Sequence, residues 1–542
     1  MIRLRAGYFS AMLGPTVLFL AGALALSPTS RPAVPPADSA PRLVVLVVID
    51  QFRPDELLRY RSEWTGGFKR ILDQGVVYTR GQQDHAITQT APGHSTLLSG
   101  RFPSHTGIVT NDLGVPDSLA TVIGDPGAVG ASPRRFRGTT LLDWMLARDS
   151  TTRVLSVSRK DRGAILPVGR SREQVYWWSN RGFFSTSRYY RDTIPAWVSQ
   201  WNARNPVQRL AGRSWDLLKP EADYNERDSL PTERGPDGRA TFPHLLPADV
   251  PAADSQVIHF PWMDSLTIDL ALTGVATLGL GTREGHTDLL SISLSTVDEV
   301  GHDYGPDSRE MHDMLLRLDG YLAQFLDSLA TTVPAANTVF VLAADHGVQP
   351  IPEQSPGAPV AQAVRVSPSG IVRALARTLR ERWRTDFGIR FDLGIVTADV
   401  AALRARGVDP DSLSRVLARE LAAQPYVERV YTPRSLAVAP ATDPLAARWR
   451  HTIPEEFGWL TAVTAHQGLY WGTWPVGADH GTPWPMDVQI PIVFWGDGLQ
   501  PRTVTRAVRS VDIAPTLAQR LGIRPTERLD GVPLPEVARA PR

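Results

Sequence analysis

The sequence predicts an α/β fold, a mostly parallel central sheet with helices on both faces and inserted regions between. Two observations lead there. Three runs, "RLVVLVVID", "HTDLLSISLSTVD" and "ANTVFVLAADHG", are apolar and rich in β-branched residues, and each ends in acidic side chains. Runs of this kind read as strands buried on both faces, the habit of parallel sheets. Between them lie helical patterns such as "REMHDMLLRLDGYLAQFLDSLATTV", in which Met311, Leu315, Leu318, Leu322 and Phe325 share one face. Strands alternating with helices make a sheet covered on both sides, and such sheets collect functional groups beyond the carboxyl ends of their strands.

Along the chain, "MIRLR" is a short basic segment and "AMLGPTVLFLAGALAL" an apolar core interrupted by Gly14 and Pro15. Ala23 and Ala25 follow in an A-x-A arrangement, and then "SPTSRPAVPPADSAPR". This is the layout of a secretory signal over residues 1–27 and a Pro-rich linker over 28–41. The expectation is export, to a periplasm or outside the cell; a retained N-terminal membrane anchor is the alternative. Residues 42–542 form the body, and no other stretch there is long and apolar enough to cross a bilayer.

Composition bounds what the body does. With 57 Lys and Arg against 56 Asp and Glu, global charge favours neither nucleic acid nor an anionic membrane as partner. The absence of cysteine removes disulfides, thiolate metal sites and cysteine nucleophiles. Nothing in the sequence fixes the oligomeric state.

The first strand candidate closes on Asp50. In "HAITQTAPGHSTLLSG", Pro92 suits the first turn of a helix, so Thr90 falls at its entrance. A threonine there is either a cap, or a nucleophile placed where helix N–H groups hold an anion. Two regions interrupt the strand–helix rhythm. Residues from about 170 to 265, with "REQVYWWSNRGFFSTSRYY", look like an insertion or lid on the sheet. Residues from about 360 to 440 look like a small helix-and-strand subdomain, whose Arg-rich helix reads as a solvated face. "DVQIPIVFWG" is a last strand candidate near the C-terminus.

Hard divalent metals need carboxylate and imidazole ligands, and these stand at strand ends. "STVDEVGHDYG" supplies Asp298 and His302, which one helical turn brings to the same metal. "LAADHGV" supplies Asp345 and His346, and "GADHGTP" supplies Asp479 and His480. Any one of these motifs is weak, a turn with a hydrogen-bonded histidine being the commoner reading; several together at strand ends point to a metal centre.

The ordered set Asp50, Thr90 in "QTAPGHSTLLSG", Asn111 in "HTGIVTND", Asp298 with His302, Asp345 with His346, and His480 resembles the alkaline phosphatase superfamily. Within it the set is similar to bacterial alkaline phosphatases that use a threonine nucleophile and stand near the nucleotide pyrophosphatase/phosphodiesterases. The resemblance runs from about residue 42 to the end. It implies two zinc ions, one held by Asp298, His302 and His480, the other by Asp50, Asp345 and His346 beside Thr90. Asp479 is then a neighbour rather than a ligand. Two metals about 3.5–4 Å apart stabilise the attacking and leaving oxygens of an in-line phosphoryl transfer, and coordination favours the alkoxide of an otherwise feeble threonine nucleophile.

A phosphate monoester carries an extra non-bridging oxygen that needs donors. Asn111 offers an amide, and "SVSRKDRGAILPVG" offers Lys160 and Arg162, on the same side if that segment is extended. The plainer reading is a surface charge pair flanking Asp161. The resemblance assigns Lys160 and Arg162 to phosphate oxygens and so favours small-molecule monoesters, through a covalent phosphothreonine. A phosphodiesterase or nucleotide pyrophosphatase on the same fold is the first alternative, and a catalytically silent phosphate- or metal-binding protein the second. A sulfatase fits poorly with Thr90 and no cysteine, and a phosphoglycerate mutase fits poorly with the apparent export signal.

His85, His94 and His105 flank the threonine segment as candidates for hydrogen-bonding support. Glu299 and Asp303 are candidates to satisfy a ligand imidazole. The aromatic cluster around Trp177, Trp178, Phe183, Phe184, Tyr189 and Tyr190 is either core or the lining of a substrate entrance.

Overall fold

The computed structural model describes residues 40–354, 365–472 and 477–538. The expected leader and most of the linker lie outside the described residues. Among the described residues no helix is long and apolar enough to cross a membrane.

The three apolar runs form the centre of a ten-stranded sheet. Its strands are β1 (Leu43–Ile49), β2 (Val76–Gln82), β3 (Val154–Ser158), β4 (Gln174–Ser179), β5 (Phe183–Ser185), β6 (Asp288–Leu294), β7 (Thr338–Ala343), β8 (Gln489–Gly496), β9 (Arg502–Val504) and β10 (Val508–Arg509). They lie in the order β9-β2-β8-β7-β1-β6-β3-β4-β5, with β10 also paired to β2. β1 is central, parallel to β6 on one side and β7 on the other, and every one of its residues is buried. β3 and β4 continue the parallel set. The predicted mostly parallel α/β sheet is therefore the observed one. β8, the "DVQIPIVFWG" strand, runs antiparallel to both β7 and β2. Its beginning, not its end, thus lies at the carboxyl edge of the parallel strands, and the loop leading into it brings "GADHGTP" to that edge.

Register aligns the strand ends. Ile49 pairs with Leu294, Val48 with Ala343, and Ser158 with Ser293. Asp50, the residues after Leu294, and Asp345 consequently leave the sheet side by side. The helices that matter to this edge are α1 (Thr90–Leu97), α2 (Asp161–Ile165), α3 (Trp262–Leu278), α4 (Thr296–Tyr304) and α5 (Arg309–Thr332). The predicted apolar face of α5 is buried in full, Met311, Leu315, Leu318, Leu322 and Phe325 all lying in the main core. From the same helix the Asp319 carboxylate accepts hydrogen bonds from the N–H groups of Thr65, Gly66 and Phe68 at 2.7–2.9 Å, where the helix Gly67–Gln74 begins. An anion at a helix N-terminus is favourable, so one buried aspartate joins two helices.

The aromatic run near residue 177 belongs to the sheet. β4 and β5 are the outer strands on that side, and Trp177, Trp178, Phe184 and Tyr190 are buried in the main core with edge-to-face contacts. These four are core packing, while Phe183 and Tyr189 are partly exposed. A second sheet, in the order Arg390–Asp392, Ile395–Thr397, Trp459–Ala465 and Val427–Tyr431, carries the helices Pro368–Trp383 and Pro410–Ala422 on its own core of Leu375, Leu379, Leu413, Leu417 and Leu460. Ile395 and Ala462 of this sheet pack with Ala86, Ile87 and Val109. The second sheet thereby supports the segments on either side of Thr90.

Leu46 lies mid-strand in β1 with no exposure. Leu46→Ala is expected to cost about 2–5 kcal/mol, the lost transfer energy plus a cavity that two paired strands keep open. Urea denaturation measures it, and a cost under about 1 kcal/mol would contradict the central placement of β1.

Candidate active site

Past the ends of the parallel strands, Asp50, Asp298, Asp345, His302, His346 and His480 meet in one cluster, buried except for His302, whose side chain is 32% exposed. Asp50, Asp345 and His346 place one donor atom each within 4.8 Å of one another, and so do Asp298, His346 and His480, and His302, Asp479 and His480. His346 Nε2 is 3.4 Å from Asp50 Oδ1 and 3.6 Å from Asp345 Oδ2. Asp298 Oδ1 is 3.4 Å from His302 Nε2 and 3.6 Å from His480 Nε2. Asp298 and His302 are four residues apart on α4, which sets them on one face. Asp479, read from sequence as a neighbour of the ligands, has a carboxylate oxygen within reach of the same space as His302 and His480.

All three imidazoles are aimed by backbone carbonyls. The Nδ1 of His302 lies 2.8 Å from Ala478 O, that of His346 2.9 Å from Gly347 O, and that of His480 2.7 Å from Thr88 O. A carbonyl only accepts, so each Nδ1 carries a proton and each ring turns its Nε2 toward the cluster. This corrects the expectation for Glu299 and Asp303. Glu299 pairs with Arg159, and Asp303 accepts from His259 Nδ1 at 2.7 Å.

The donors suit a cation. Asp50 Oδ1, Asp345 Oδ2 and His346 Nε2 are buried and have no hydrogen-bond partner, an expensive state for charged or basic atoms unless a positive charge lies among them. Burial, and then the neighbouring Asp298 and Asp345, push the Asp50 carboxyl up to about 6. Burial acts the same way on Asp298, but the Lys160 ammonium and His302 overcome it and hold that carboxyl well below its usual range. On His302 burial is outweighed by Asp298, which raises the imidazole to about 9. Burial together with His346 and His302 keeps His480 neutral far below the ordinary histidine range.

Thr90 is the first residue of α1 and is buried; the cap position is Gln89, so Thr90 is not the helix cap. Gly93 is what lets α1 come so close to the strand end, since a Cβ there would stand 2.0 Å from the Asp345 carbonyl oxygen. His94 holds the same junction, with Nδ1 2.9 Å from Thr90 O, Nε2 2.9 Å from Ser293 Oγ, and Asp345 Oδ2 at 3.1 Å. His85 is fully buried, which drives its pKa down to about 3, whereas His105 is exposed and pairs with Asp530 at 2.7 Å. Asn111 Oδ1 accepts from the Ala91 N–H at 2.8 Å, fixing its amide beside the start of α1.

Lys160 and Arg162 part company. α2 begins at Asp161, with Lys160 as its N-cap, so the segment is not extended and the two side chains do not share a side on that ground. Lys160 is buried, its Nζ 2.6 Å from Asp50 Oδ2 and in closer contact with Asp298 Oδ2. The half-buried Arg162 has its Nη1 3.7 Å from Asp161 Oδ1, the charge pair of the plainer reading.

Two supports escaped the sequence reading because neither carries a motif. Gln51 touches both Asp298 and Asp345. Asp264, from the start of α3, accepts from the N–H groups of Ser295 and Thr296 at 3.0 and 3.2 Å, capping α4 two residues before Asp298.

A family model described as type I phosphodiesterase / nucleotide pyrophosphatase matches residues 44–471. The chain belongs to this family. Its relatives include "Alkaline phosphatase PafA" of Elizabethkingia meningoseptica, 30% identical with 96% of this chain and 98% of that protein covered. "Alkaline phosphatase PhoK" of Sphingomonas sp is 32% identical over 91% of each chain, and "Alkaline phosphatase PhoV" of Synechococcus elongatus 30% over 94% and 95%. The crystal structure of wild-type PafA superposes with a TM-score of 0.86 at 29% identity, covering 92% of this chain and 99% of that one. Murine ectonucleotide pyrophosphatase/phosphodiesterase 5 shares the fold, with a TM-score of 0.52 at 14% identity.

Burial raises Asp264 from 3.8 to about 6, against the hydrogen bonds from Thr296 and Ser295 that favour its charged form. The folded chain therefore holds a proton that the unfolded chain loses from about pH 4 upward. The associated stability is complete below the unfolded pKa and is lost as pH rises through about 6. Asp264→Asn, which keeps an acceptor for α4, is expected to flatten the stability–pH slope between about pH 4 and 6. Urea denaturation across that range checks it; a slope equal to the parent's would contradict the assignment.

Proposed function

We propose that this chain is an exported, metal-dependent phosphomonoesterase, an alkaline phosphatase that hydrolyses phosphate monoesters through a covalent phosphothreonine at a two-zinc site. One observation carries the reading. Ligand atoms about 2.0–2.2 Å from a tetrahedral zinc stand about 3.3–3.6 Å from one another. The donors of both half-sites have that spacing, 3.4 and 3.6 Å about His346 Nε2 and again 3.4 and 3.6 Å about Asp298 Oδ1. The names of the relatives support the same activity.

Asp298, His302 and His480 would hold one ion, and Asp50, Asp345 and His346 the other beside Thr90. When bound, such ions favour a threonine alkoxide and the negative charge of a departing oxygen. Thr90 Oγ1 gives its proton to water and bonds to phosphorus as the bond to the ester oxygen breaks, and the leaving alkoxide takes a proton from water. A water molecule then attacks the phosphothreonine, the Thr90 Oγ1–phosphorus bond breaks, and phosphate departs as Thr90 regains a proton. Asn111, whose Oδ1 is occupied by Ala91, keeps its amide N–H groups as donors to phosphate oxygens. Lys160 and Arg162 supply cations for the extra oxygen of a monoester. The domain organisation that accompanies this reading is a leader over 1–27, a linker over 28–41 and a catalytic domain over 42–542 with insertions at about 360–440 and within about 170–265, where β4 and β5 belong to the main sheet.

Thr90→Ala is expected to lower turnover of p-nitrophenyl phosphate by about three orders of magnitude or more while zinc stays bound; unchanged turnover would remove the nucleophile and leave a binding protein. Chelation is expected to abolish activity and zinc to restore it, so chelator-resistant activity would sink the metal scheme. A preference for bis-p-nitrophenyl phosphate over the monoester would transfer the chain to the phosphodiesterase alternative.

A further inference from the structure

We infer that Gln51 is a positioning residue that ties the two half-sites of the metal centre together, a role that rests on the two-metal reading above. Gln51 follows Asp50 directly and is fully buried. Its backbone N–H donates to Asp345 Oδ1 at 3.2 Å, and its side-chain Nε2 donates to Asp298 Oδ1 at 2.9 Å. Through one residue, then, all three aspartates are joined: Asp50 by the peptide bond, Asp345 by the main chain, Asp298 by the side chain. Asp298 Oδ1 is also the oxygen that faces His302 and His480. A carboxylate oxygen accepts more than one bond, so the amide orients Asp298 and leaves it a lone pair for a cation.

Two local features show that the arrangement is maintained at a cost. Gln51 adopts φ +66, the left-handed region that glycine enters freely and a side chain does not. Its Oε1 is buried without a hydrogen-bond partner and lies against Gly301 of α4, where a Cβ would come within 1.8 Å of it. Because the Asp298 carboxylate only accepts, the amide orientation is fixed with Nε2 toward Asp298 and Oε1 toward Gly301. Gly301 therefore provides the space that lets Gln51 reach Asp298, at a helical position where alanine is otherwise the better helix former.

The test separates this role from a structural one. Gln51→Gly relieves the left-handed strain and deletes the amide; Gly301→Ala favours the helix and displaces the same amide. Each is expected to weaken zinc binding about 10- to 100-fold, read by competition with a chromophoric chelator, with no fall in the thermal midpoint of the metal-free protein. In the Gln51→Gly/Gly301→Ala double variant the second change is expected to add less than about threefold, since its target is gone. Two zinc equivalents in the parent with unaltered affinities in both single variants would overturn the role alone. So would losses that multiply in the double variant, or a metal-free midpoint that falls with either single change. A parent that takes up no zinc would overturn the metal reading itself.

Discussion

Asp50, Asp298 and Asp345 are buried side by side, and that concentration of negative charge governs the architecture around it. Each carboxylate leaves water at a cost of several kcal/mol, and like charges at this separation add to it. The surroundings are arranged to offset that cost. Lys160 stands between Asp50 and Asp298, and Gln51 donates to Asp298 and Asp345. The oxygens and the nitrogen still unpartnered, at Asp50, Asp345 and His346, mark where further positive charge belongs.

Sheet register is what brings the carboxylates together. With Ile49 level with Leu294 and Val48 level with Ala343, the three central strands release their chains at one edge. The antiparallel β8 delivers the His480 loop to the same edge from the opposite direction. α1 approaches the Asp345 strand end so closely only because position 93 carries no Cβ. The backbone carbonyls of Thr88, Gly347 and Ala478 each fix one imidazole. Orientation of the site is thus built mainly from main chain, which moves less than side chains do.

Much of this was legible in the residues. The β-branched runs announced buried parallel strands because a strand covered on both faces has no polar side to display. The candidate ligands at the strand ends proved to be neighbours in space. The threonine could not be read alone, since a cap and a nucleophile occupy the same kind of helix start. Other details depended on contacts with no sequence signature. Lys160 and Arg162 do not lie along one extended strand, because a helix begins at Asp161. Glu299 and Asp303 are engaged by Arg159 and His259. The tryptophans of β4 pack into the core rather than line a cleft.

By itself the sequence determined the α/β sheet, the strand ends on which chemistry falls, and the residue types assembled there. These follow from local pattern, where burial of a strand and the chemistry of a side chain are properties of the segment. How the three carboxylates are joined is set by tertiary contacts alone. Gln51 touches Asp345 across 294 residues and Asp298 across 247, Gly301 makes room for it, and Asp264 caps α4 from another helix. Such contacts are set by register, backbone conformation and close approach between distant segments, and no window of the chain contains them.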